Sequence, residues 1–498
     1  MIEQAISDLL EYAKIHLGMR EEDRAYLTNV LMQKLALNEF TPCESDVERL
    51  AALPAPDNVL APVLAYAKAE GLVAEGEEEF FTTELLDTLT PRPSEVIDDF
   101  QAKHALSPET AFDFLYDLGV KNDYVKLSAI NRNKYWLAEN SQGKIEITIN
   151  LSKPEKSNKQ TAKLKNVSSG YPKCMLCREN LGYVGQGRTR RNMRTIPLKL
   201  DGEDWFWQFS PYAYFYQHGI AINAEHTPMK VNSRTIYKVL DFVDYAPQYC
   251  IGSNAALPIV GGSILAHEHF QGGKHEFPMF LVPTAVELNC PETGVTATLP
   301  DWYNSVILLE GEDKQAVARA AEKILAAWLD YSDESVGIIA RTDAPHNTLA
   351  PIAKKTEKGY KLYLQLRNNR CDETHPDGIF HAHAEYHNIK SEAIGLIEAM
   401  GRFILPGRLD RQLVEIEKFL TGENTTVSED MKIHENAIKM LTEKYGVSLD
   451  RQAAHEAVTA YVEEVCENIL DNTAVFKRDE KGRAAFLRFL GVCGFTAK

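Results

Sequence analysis

The amino-acid sequence predicts an α+β fold, in which a mainly antiparallel sheet with helices is flanked by helical regions at both ends. Three observations support this prediction. Apolar residues recur at i, i+3, i+4 and i+7 in the segment 2–13, which is the spacing of one helix face. Residues 144–151 alternate polar and apolar side chains, as in a half-buried strand. The segment 312–330 returns to helical spacing, so helices and strands are mixed in the centre.

The length of the chain and changes in its side-chain pattern indicate several regions. Its 498 residues exceed one ordinary domain, and the pattern of side chains changes near residue 125. From about residue 390 the sequence predicts helix to the end of the chain. Two segments have the composition of linkers, 152–168 and 421–428. We therefore predict four regions: helical 1–124, α+β 125–300, α+β 301–405 and helical 406–498.

Local signals place the individual elements. N-terminal helices are expected to begin near Ser94 and near Ser107, because serine and proline mark helix starts. Further helices are expected at 232–246 and 312–330. Clusters of β-branched and aromatic residues predict strands at 144–151, 205–209, 218–223, 260–270, 335–341 and 361–367.

Charge and composition exclude several classes of partner. A formal net charge of −17 repels nucleic acid and anionic lipid, so neither is an expected partner. The sequence has no run of about 18 apolar residues, and its start carries Glu3, Asp8 and Glu11; we expect neither a membrane span nor a signal peptide. Eight cysteines spread along the chain predict reduced thiols and a cytoplasmic protein.

The segment His267-Glu268-His269-Phe270-Gln271 carries the strongest chemical signal. In an extended strand His267, His269 and Gln271 would share one face, with Glu268 and Phe270 on the other. An imidazole is a nucleophile near neutral pH, and an amide donates to phosphoryl oxygens, so the pattern suits phosphoryl chemistry. A metal site or a chance histidine pair explains this motif equally well when it is taken alone.

Cys174 and Cys177 form a C-x-x-C pair, which is half of a tetrahedral zinc site or a redox pair. Downstream histidines that could complete a zinc site are His226 and His267. Two cysteines plus two histidines would make a closed structural site. Two unrelated buried thiols remain an equal alternative at this point.

Two further clusters allow two interpretations each. Arg188, Arg191 and Arg194 belong to a basic run in an acidic chain, and guanidinium groups match phosphate oxygens, but a solvated basic loop explains the run as well. His381 and His383 begin an alternating histidine-rich segment that ends at residue 387. On a strand its ligands would share a face and could bind a metal; a packing role is the alternative.

Taken together, these segments resemble the galactose-1-phosphate uridylyltransferases, in particular the type 2 branch found in bacteria, within the histidine-triad superfamily. The matching stretches run in order along the chain: 151–156, 171–177, 266–273, 345–349, 366–370 and 387–401. The resemblance implies that 125–300 and 301–405 are two histidine-triad-like halves, the first with the catalytic motif. One departure is Glu268, since type 1 members have proline between the two histidines.

The resemblance also implies an activity and its residues. UDP-glucose and galactose 1-phosphate would be the substrates, in galactose metabolism, with UMP carried on His269 in a ping-pong reaction. Gln271 would hold the phosphoryl oxygens, and Asn254 and Ser263 would contact the nucleotide sugar. Zinc would bind Cys174, Cys177, His226 and His267, and a second, iron-type site would involve His381 and His383. A homodimer is also implied.

Two other functions compete with this one. A related nucleotide phosphorylase or hydrolase would transfer the nucleotidyl group to phosphate or water. A non-catalytic, zinc-stabilised sensor would bind nucleotide sugar without labelling a histidine. Incubation with UDP-glucose alone separates the three, because only a transferase gains one UMP and then stops.

Overall fold

A computed structural model describes residues 2–140, 143–152, 170–185, 190–262 and 264–498. Ser263, Arg188 and the predicted linker 152–168 (apart from Ser152) lie outside these residues. Contacts divide the chain into two compact units. The first comprises Met1–Arg132 and Pro154–Thr227, and the second comprises Asn133–Lys153 and Pro228–Lys498.

The described helices are, in chain order, α1 Ile2–His16, α2 Arg24–Lys34, α3 Val47–Ala51, α4 Asp57–Ala69, α5 Glu78–Leu89, α6 Pro93–His104, α7 Pro108–Lys121, α8 Leu127–Ile130, α9 Ser233–Tyr245, α10 Lys314–Leu329, α11 Leu396–Ala399, α12 Leu409–Leu420, α13 Glu435–Tyr445, α14 Arg451–Thr473 and α15 Glu480–Val492. The described strands are β1 Lys134–Asn140, β2 Gly143–Asn150, β3 Ile196–Leu200, β4 Glu203–Phe209, β5 Gly219–Asn223, β6 Cys250–Ser253, β7 His269–Gly273, β8 Thr284–Asn289, β9 Val295–Pro300, β10 Val306–Gly311, β11 Asn347–Thr356, β12 Gly359–Asn368, β13 Arg402–Pro406 and β14 Thr496–Ala497. Within these ranges, no helix is long and apolar enough to cross a membrane.

The first unit joins the N-terminal helices to a short antiparallel sheet. Helix α7 begins where the sequence predicts, because the Ser107 hydroxyl accepts a hydrogen bond from Thr110 N at 3.3 Å and caps the helix. Strands β3, β4 and β5 pair in that order, and β4 and β5 confirm the predicted strands at 205–209 and 218–223. The Phe112 ring packs edge-on against Trp207, which joins α7 to β4.

The second unit contains two sheets. In the larger one, β8 to β12 with β6, β7 and β14 form antiparallel pairs in the order β14-β8-β9-β10-β12-β11-β6-β7. The smaller sheet has the order β1-β2-β13, in which β13 runs parallel to β2. Helix α9 packs on β6 and β11 and is capped by Asn232, so the predicted helix at 232–246 is confirmed. The predicted helix at 312–330 and strand at 361–367 are confirmed by α10 and β12.

Four local predictions are wrong, and each error has a long-range cause. Strand β2 is buried from Ile145 to Asn150 rather than on one face, because β1 and β13 flank it and Glu146 is paired. The predicted strand at 260–270 begins only at His269, because the chain turns back to pair Gly261 with Ala255.

The other two errors concern the later part of the chain. The predicted strand at 335–341 begins as a 3-10 turn, Glu334–Val336, because the Asp333 carboxylate accepts from Ser335 N. The chain is not helical throughout from 390, because β13 pairs with β2 and β14 pairs with β8. The predicted linker at 421–428 contains neither helix nor strand.

Candidate active site

Strand β7 carries the central histidine. His269 is its first residue, and β6 pairs with it so that Gly252 lies opposite Gln271. Gly272 has to be glycine, since a Cβ there would lie 2.2 Å from the Cys250 carbonyl oxygen. Two residues apart on one strand, His269 and Gln271 share a face of the sheet. His267 precedes the strand, so the predicted continuous strand through all three residues is not formed.

The His269 ring is held in one orientation. Its Nδ1 lies 2.8 Å from the main-chain oxygen of His267, which can only accept, so Nδ1 carries the proton. Burial lowers the pKa of His269 and outweighs the hydrogen bond to the His267 carbonyl, which acts to raise it. No group in the described part of the chain hydrogen-bonds Nε2 of this ring. A neutral imidazole with a free lone pair on Nε2 is the state required of a nucleophile.

The main chain at His269 is fixed as well. Its N–H donates to the Met229 sulfur at 3.2 Å, and Met229 N in turn donates to the Leu265 carbonyl at 2.9 Å. Met229 therefore holds the residues that lead into β7 at two points. No sequence motif singled out this methionine, because its partners lie 36 to 40 positions further along the chain.

Asn254 lies at the end of β6 in the same unit and is buried. Its Oδ1 accepts from Leu396 N at 3.0 Å, which fixes the orientation of the amide. Its Nδ2 is buried, and no described residue accepts a hydrogen bond from it. An oriented amide with an unused donor is suited to a ligand oxygen.

Cys174, Cys177 and His226 lie together in the first unit. The two sulfur atoms are 3.6 Å apart, and Cys177 Sγ is 3.2 Å from Nδ1 of His226. A disulfide would need about 2.05 Å between the sulfurs, whereas tetrahedral zinc with bonds of about 2.3 Å separates them by about 3.8 Å. The side chain of Asn180 donates to the main-chain oxygens of both cysteines, at 3.0 and 2.7 Å. The donor set and spacing therefore fit a zinc ion.

Burial raises the pKa of the Cys177 thiol to about 11. A bound dication would stabilise the thiolate instead, as zinc does with its cysteine ligands. His267, the fourth predicted ligand, belongs to the second unit and is buried.

Two arginines of the basic run, Arg191 and Arg194, pair with a carboxylate inside the protein. Arg191 Nε and Arg194 Nη1 each lie 3.2 Å from the carboxylate of Asp87 on α5. Arg194 also donates to the main-chain oxygens of Pro91 and Thr90. These contacts tie the segment to the N-terminal helices and favour a packing role for Arg191 and Arg194.

The histidines near residue 381 also serve local structure. Nε2 of His381 accepts from Ile394 N at 3.0 Å, and burial lowers the pKa of this histidine to about 3. His383 Nε2 lies 3.1 Å from the Ile379 carbonyl. The segment folds as a turn, not as the strand that would align its ligands. Among the described residues the group of potential metal ligands is the one at Cys174, so a second site at His381 and His383 gains no support.

Comparison with known proteins shows the family of the chain. The family model for the galactose-1-phosphate uridyl transferase N-terminal domain matches residues 21–228 of the sequence. The family model for the C-terminal domain matches residues 241–436. A galactose-1-phosphate uridylyltransferase of Fusobacterium nucleatum is 39% identical over 98% of this chain and 98% of its own length. One from Lactococcus lactis subsp. cremoris (strain SK11) is 41% identical over 98% of this chain and 99% of its own length. Among solved structures, yeast Ap4A phosphorylase aligns with a TM-score of 0.33 and 10% identity, over 66% of this chain and 91% of that chain, which is too weak to support an argument.

A strand-borne histidine held in one tautomer, on a chain matched over nearly its full length by such relatives, defines an enzyme of the nucleotidyltransferase class. The chain belongs to the galactose-1-phosphate uridyl transferase family.

Proposed function

We propose that this enzyme transfers UMP from UDP-glucose to galactose 1-phosphate through a uridylyl group on His269. The observation that carries the proposal is the hydrogen bond of 2.8 Å between His269 Nδ1 and the His267 carbonyl, because it leaves Nε2 as the nucleophilic nitrogen. Galactose 1-phosphate is part of the name of the full-length relatives, and UDP-glucose is the donor that the sequence resemblance implies.

The reaction has two balanced halves. The Nε2 lone pair of His269 attacks the α-phosphorus of UDP-glucose, an N–P bond forms, and the bond to the leaving glucose 1-phosphate breaks. The leaving group is already a stable phosphate anion, so no strong general acid is needed. In the second half a phosphate oxygen of galactose 1-phosphate attacks phosphorus, and the N–P electron pair returns to the imidazole.

Hydrogen-bond donors around His269 would stabilise the phosphoryl oxygens. We assign Gln271 to this role because it shares the His269 face of β7 and an amide does not titrate. Asn254 is assigned to the nucleotide sugar because its buried Nδ2 has a proton to donate. Ser263 is also assigned to the nucleotide sugar, as the sequence resemblance implies. We do not assign Arg191 and Arg194 to substrate binding, since both form ion pairs with Asp87.

We propose one structural zinc, bound by Cys174, Cys177, His226 and His267. When bound, it would add folding stability and keep both thiols ionised. Its role would be to fix His267, the residue whose main-chain oxygen orients the His269 ring. We further propose that the protein is a cytoplasmic homodimer. Each chain would contain two histidine-triad-like halves, 125–300 and 301–405.

Mass spectrometry of the intact protein tests the function. UDP-glucose alone should add one uridylyl group per site and release one equivalent of glucose 1-phosphate, and galactose 1-phosphate should remove the adduct. The variant His269→Ala should gain no mass. Continuous release of UMP without galactose 1-phosphate would indicate a hydrolase, and binding without any adduct would indicate a sensor.

A further inference from the structure

A buried ion pair lies directly beside the nucleophile. Lys238 Nζ is 2.9 Å from Glu268 Oε1, and only 5% and 8% of the two side chains are exposed. Glu268 is the residue between His267 and His269. Lys238 lies in the second turn of α9, so the pair joins two segments of the same unit that are 30 positions apart.

The ion pair contacts α9, whereas His269 and Gln271 share one face of β7. Side chains alternate along a strand, so Phe270 points away from that face. Phe270 is fully buried, as expected for a residue that faces a packed layer. The Glu268 carboxylate binds Lys238 of α9, so the ion pair links this helix to the main-chain segment that leads into β7.

The residues before β7 need such an anchor. Residues 264–268 form neither helix nor strand, so no ladder of backbone hydrogen bonds fixes them. Helix α9 can serve as the fixed point, because it packs on β6 and β11 of the larger sheet and Asn232 caps its start. A buried ion pair holds geometry tightly, since separating the charges without water leaves each of them uncompensated.

We propose that Lys238 and Glu268 are positioning residues for the transfer reaction: their ion pair fixes the segment from which the His267 carbonyl orients the nucleophile. The proposal rests on the proposed role of His269. It explains why a carboxylate stands here between the two histidines, and it assigns Lys238, which no motif indicated, to the support of the site. Without the pair, the His267 carbonyl and the His269 ring would sample orientations that are not productive.

Single-turnover kinetics test this directly. The rate of uridylyl addition to His269 and the dissociation constant of UDP-glucose should be measured in the wild type, Lys238→Met, Glu268→Gln and Lys314→Met. We expect Lys238→Met to slow addition about 10- to 100-fold, with less than about a threefold change in binding, because a displaced nucleophile costs rate rather than ground-state affinity. Glu268→Gln should keep part of the rate, since its amide oxygen can still accept from Lys238.

Lys314→Met is the matched control. It removes the same charge from ion pairs with the same helix, since Lys314 Nζ is 2.8 Å from Asp241 and 2.7 Å from Asp244, and neither aspartate belongs to β7 or to the segment before it. It should leave the rate of uridylyl addition unchanged. All rates are compared at a temperature where circular dichroism shows each variant folded, so a loss of fold is not counted as a loss of rate.

The outcomes are distinct. A lower melting temperature with an unchanged rate in Lys238→Met and Glu268→Gln would overturn the proposal and leave the pair a stability element. If Lys238→Met does not fold, Glu268→Gln decides alone: a wild-type rate there overturns the proposal, and a slowed rate with intact binding supports it. Absence of an adduct in the wild type would instead reject the proposed function.

Discussion

Both carboxylate oxygens of Glu146 lie 3.0 Å from Nε2 of His275, in a cluster that the Arg402 guanidinium completes. The cluster joins the residue two positions after β7 to the smaller sheet, and Glu146 is buried within it. Burial acts to raise the pKa of Glu146, but the His275 hydrogen bond and the Arg402 charge outweigh it and lower that pKa. The cluster therefore stabilises the fold chiefly while Glu146 is ionised.

The first prediction follows from this cluster. Glu146→Gln should lower the free energy of unfolding at pH 7 by about 3 kcal/mol, because it leaves a largely buried guanidinium without its counter-charge. Since the folded pKa is depressed, the ionised contribution is present above the ordinary carboxyl pKa and is lost as the pH falls through the folded value. Urea denaturation should show the gap between wild type and variant narrowing towards pH 3. An equal gap at pH 7 and pH 3 would contradict this account.

His434 predicts acid sensitivity in the C-terminal region. It is fully buried, its Nε2 lies 3.1 Å from Gln412 Oε1, and its Nδ1 lies 3.2 Å from Asn388 Nδ2. Burial lowers its pKa to about 4. A histidine with a depressed folded pKa contributes fully above its unfolded pKa of about 6.5, and the contribution is lost as the pH falls from there to the folded value. The free energy of unfolding should drop by roughly 2–3 kcal/mol over that window.

His434→Gln is the control for this prediction. Glutamine offers one donor and one acceptor in place of the two ring nitrogens, and it does not titrate. The variant should remove this part of the pH dependence. If the free energy of unfolding of the variant still falls between pH 6.5 and pH 4 as steeply as that of the wild type, groups other than His434 cause the effect.

The third prediction concerns zinc. Protein purified without chelator should contain one zinc ion per chain by elemental analysis, and Cys174→Ser/Cys177→Ser should contain none. Because a structural metal adds directly to folding free energy, the variant should melt lower or fail to fold. Cys250→Ser is the matched control, since this buried cysteine donates to the Gly273 carbonyl and has no zinc role. Full zinc content in the double variant would reject the cysteine ligands.

The fourth prediction tests Gln271. An amide holds phosphoryl oxygens but cannot accept a proton from water, whereas a histidine at this position can near neutral pH. Gln271→His should slow transfer and raise the ratio of UDP-glucose hydrolysis to transfer. UMP release is measured with and without galactose 1-phosphate in both proteins. An unchanged ratio would mean that the site excludes water by closure and not through the chemistry of residue 271.

Local signals explain which features can be read from the sequence without the fold. The start of α7 is set by Ser107 and Thr110, three positions apart, and the zinc-type pair by two cysteines equally close. The motif around His269 contains both the ring and the carbonyl that orients it. In each case the interacting groups are near neighbours in the chain, so their pattern is visible without the fold.

The errors come from contacts that no local pattern contains. Arg194 belongs to a basic run whose composition suits an anion site, yet the carboxylate that it pairs with, Asp87, lies 107 positions earlier. Glu146 occupies a position expected to face solvent, and its partner Arg402 lies 256 positions later. Lys238 carries no motif at all and gains significance only because Glu268 folds against it. Burial and pairing at such distances are properties of the tertiary structure.

The parallel pairing of β2 with β13 also imposes an order on synthesis. A ribosome that adds about 5–20 residues per second needs roughly 13–50 s to pass from Glu146 to Arg402, 256 positions later. During that interval the β2 edge of the β1–β2 hairpin lacks its neighbour β13. Glu146 also lacks its ion-pair partner Arg402. The nascent chain must therefore keep this edge from pairing with other strands until Arg402–Pro406 has emerged.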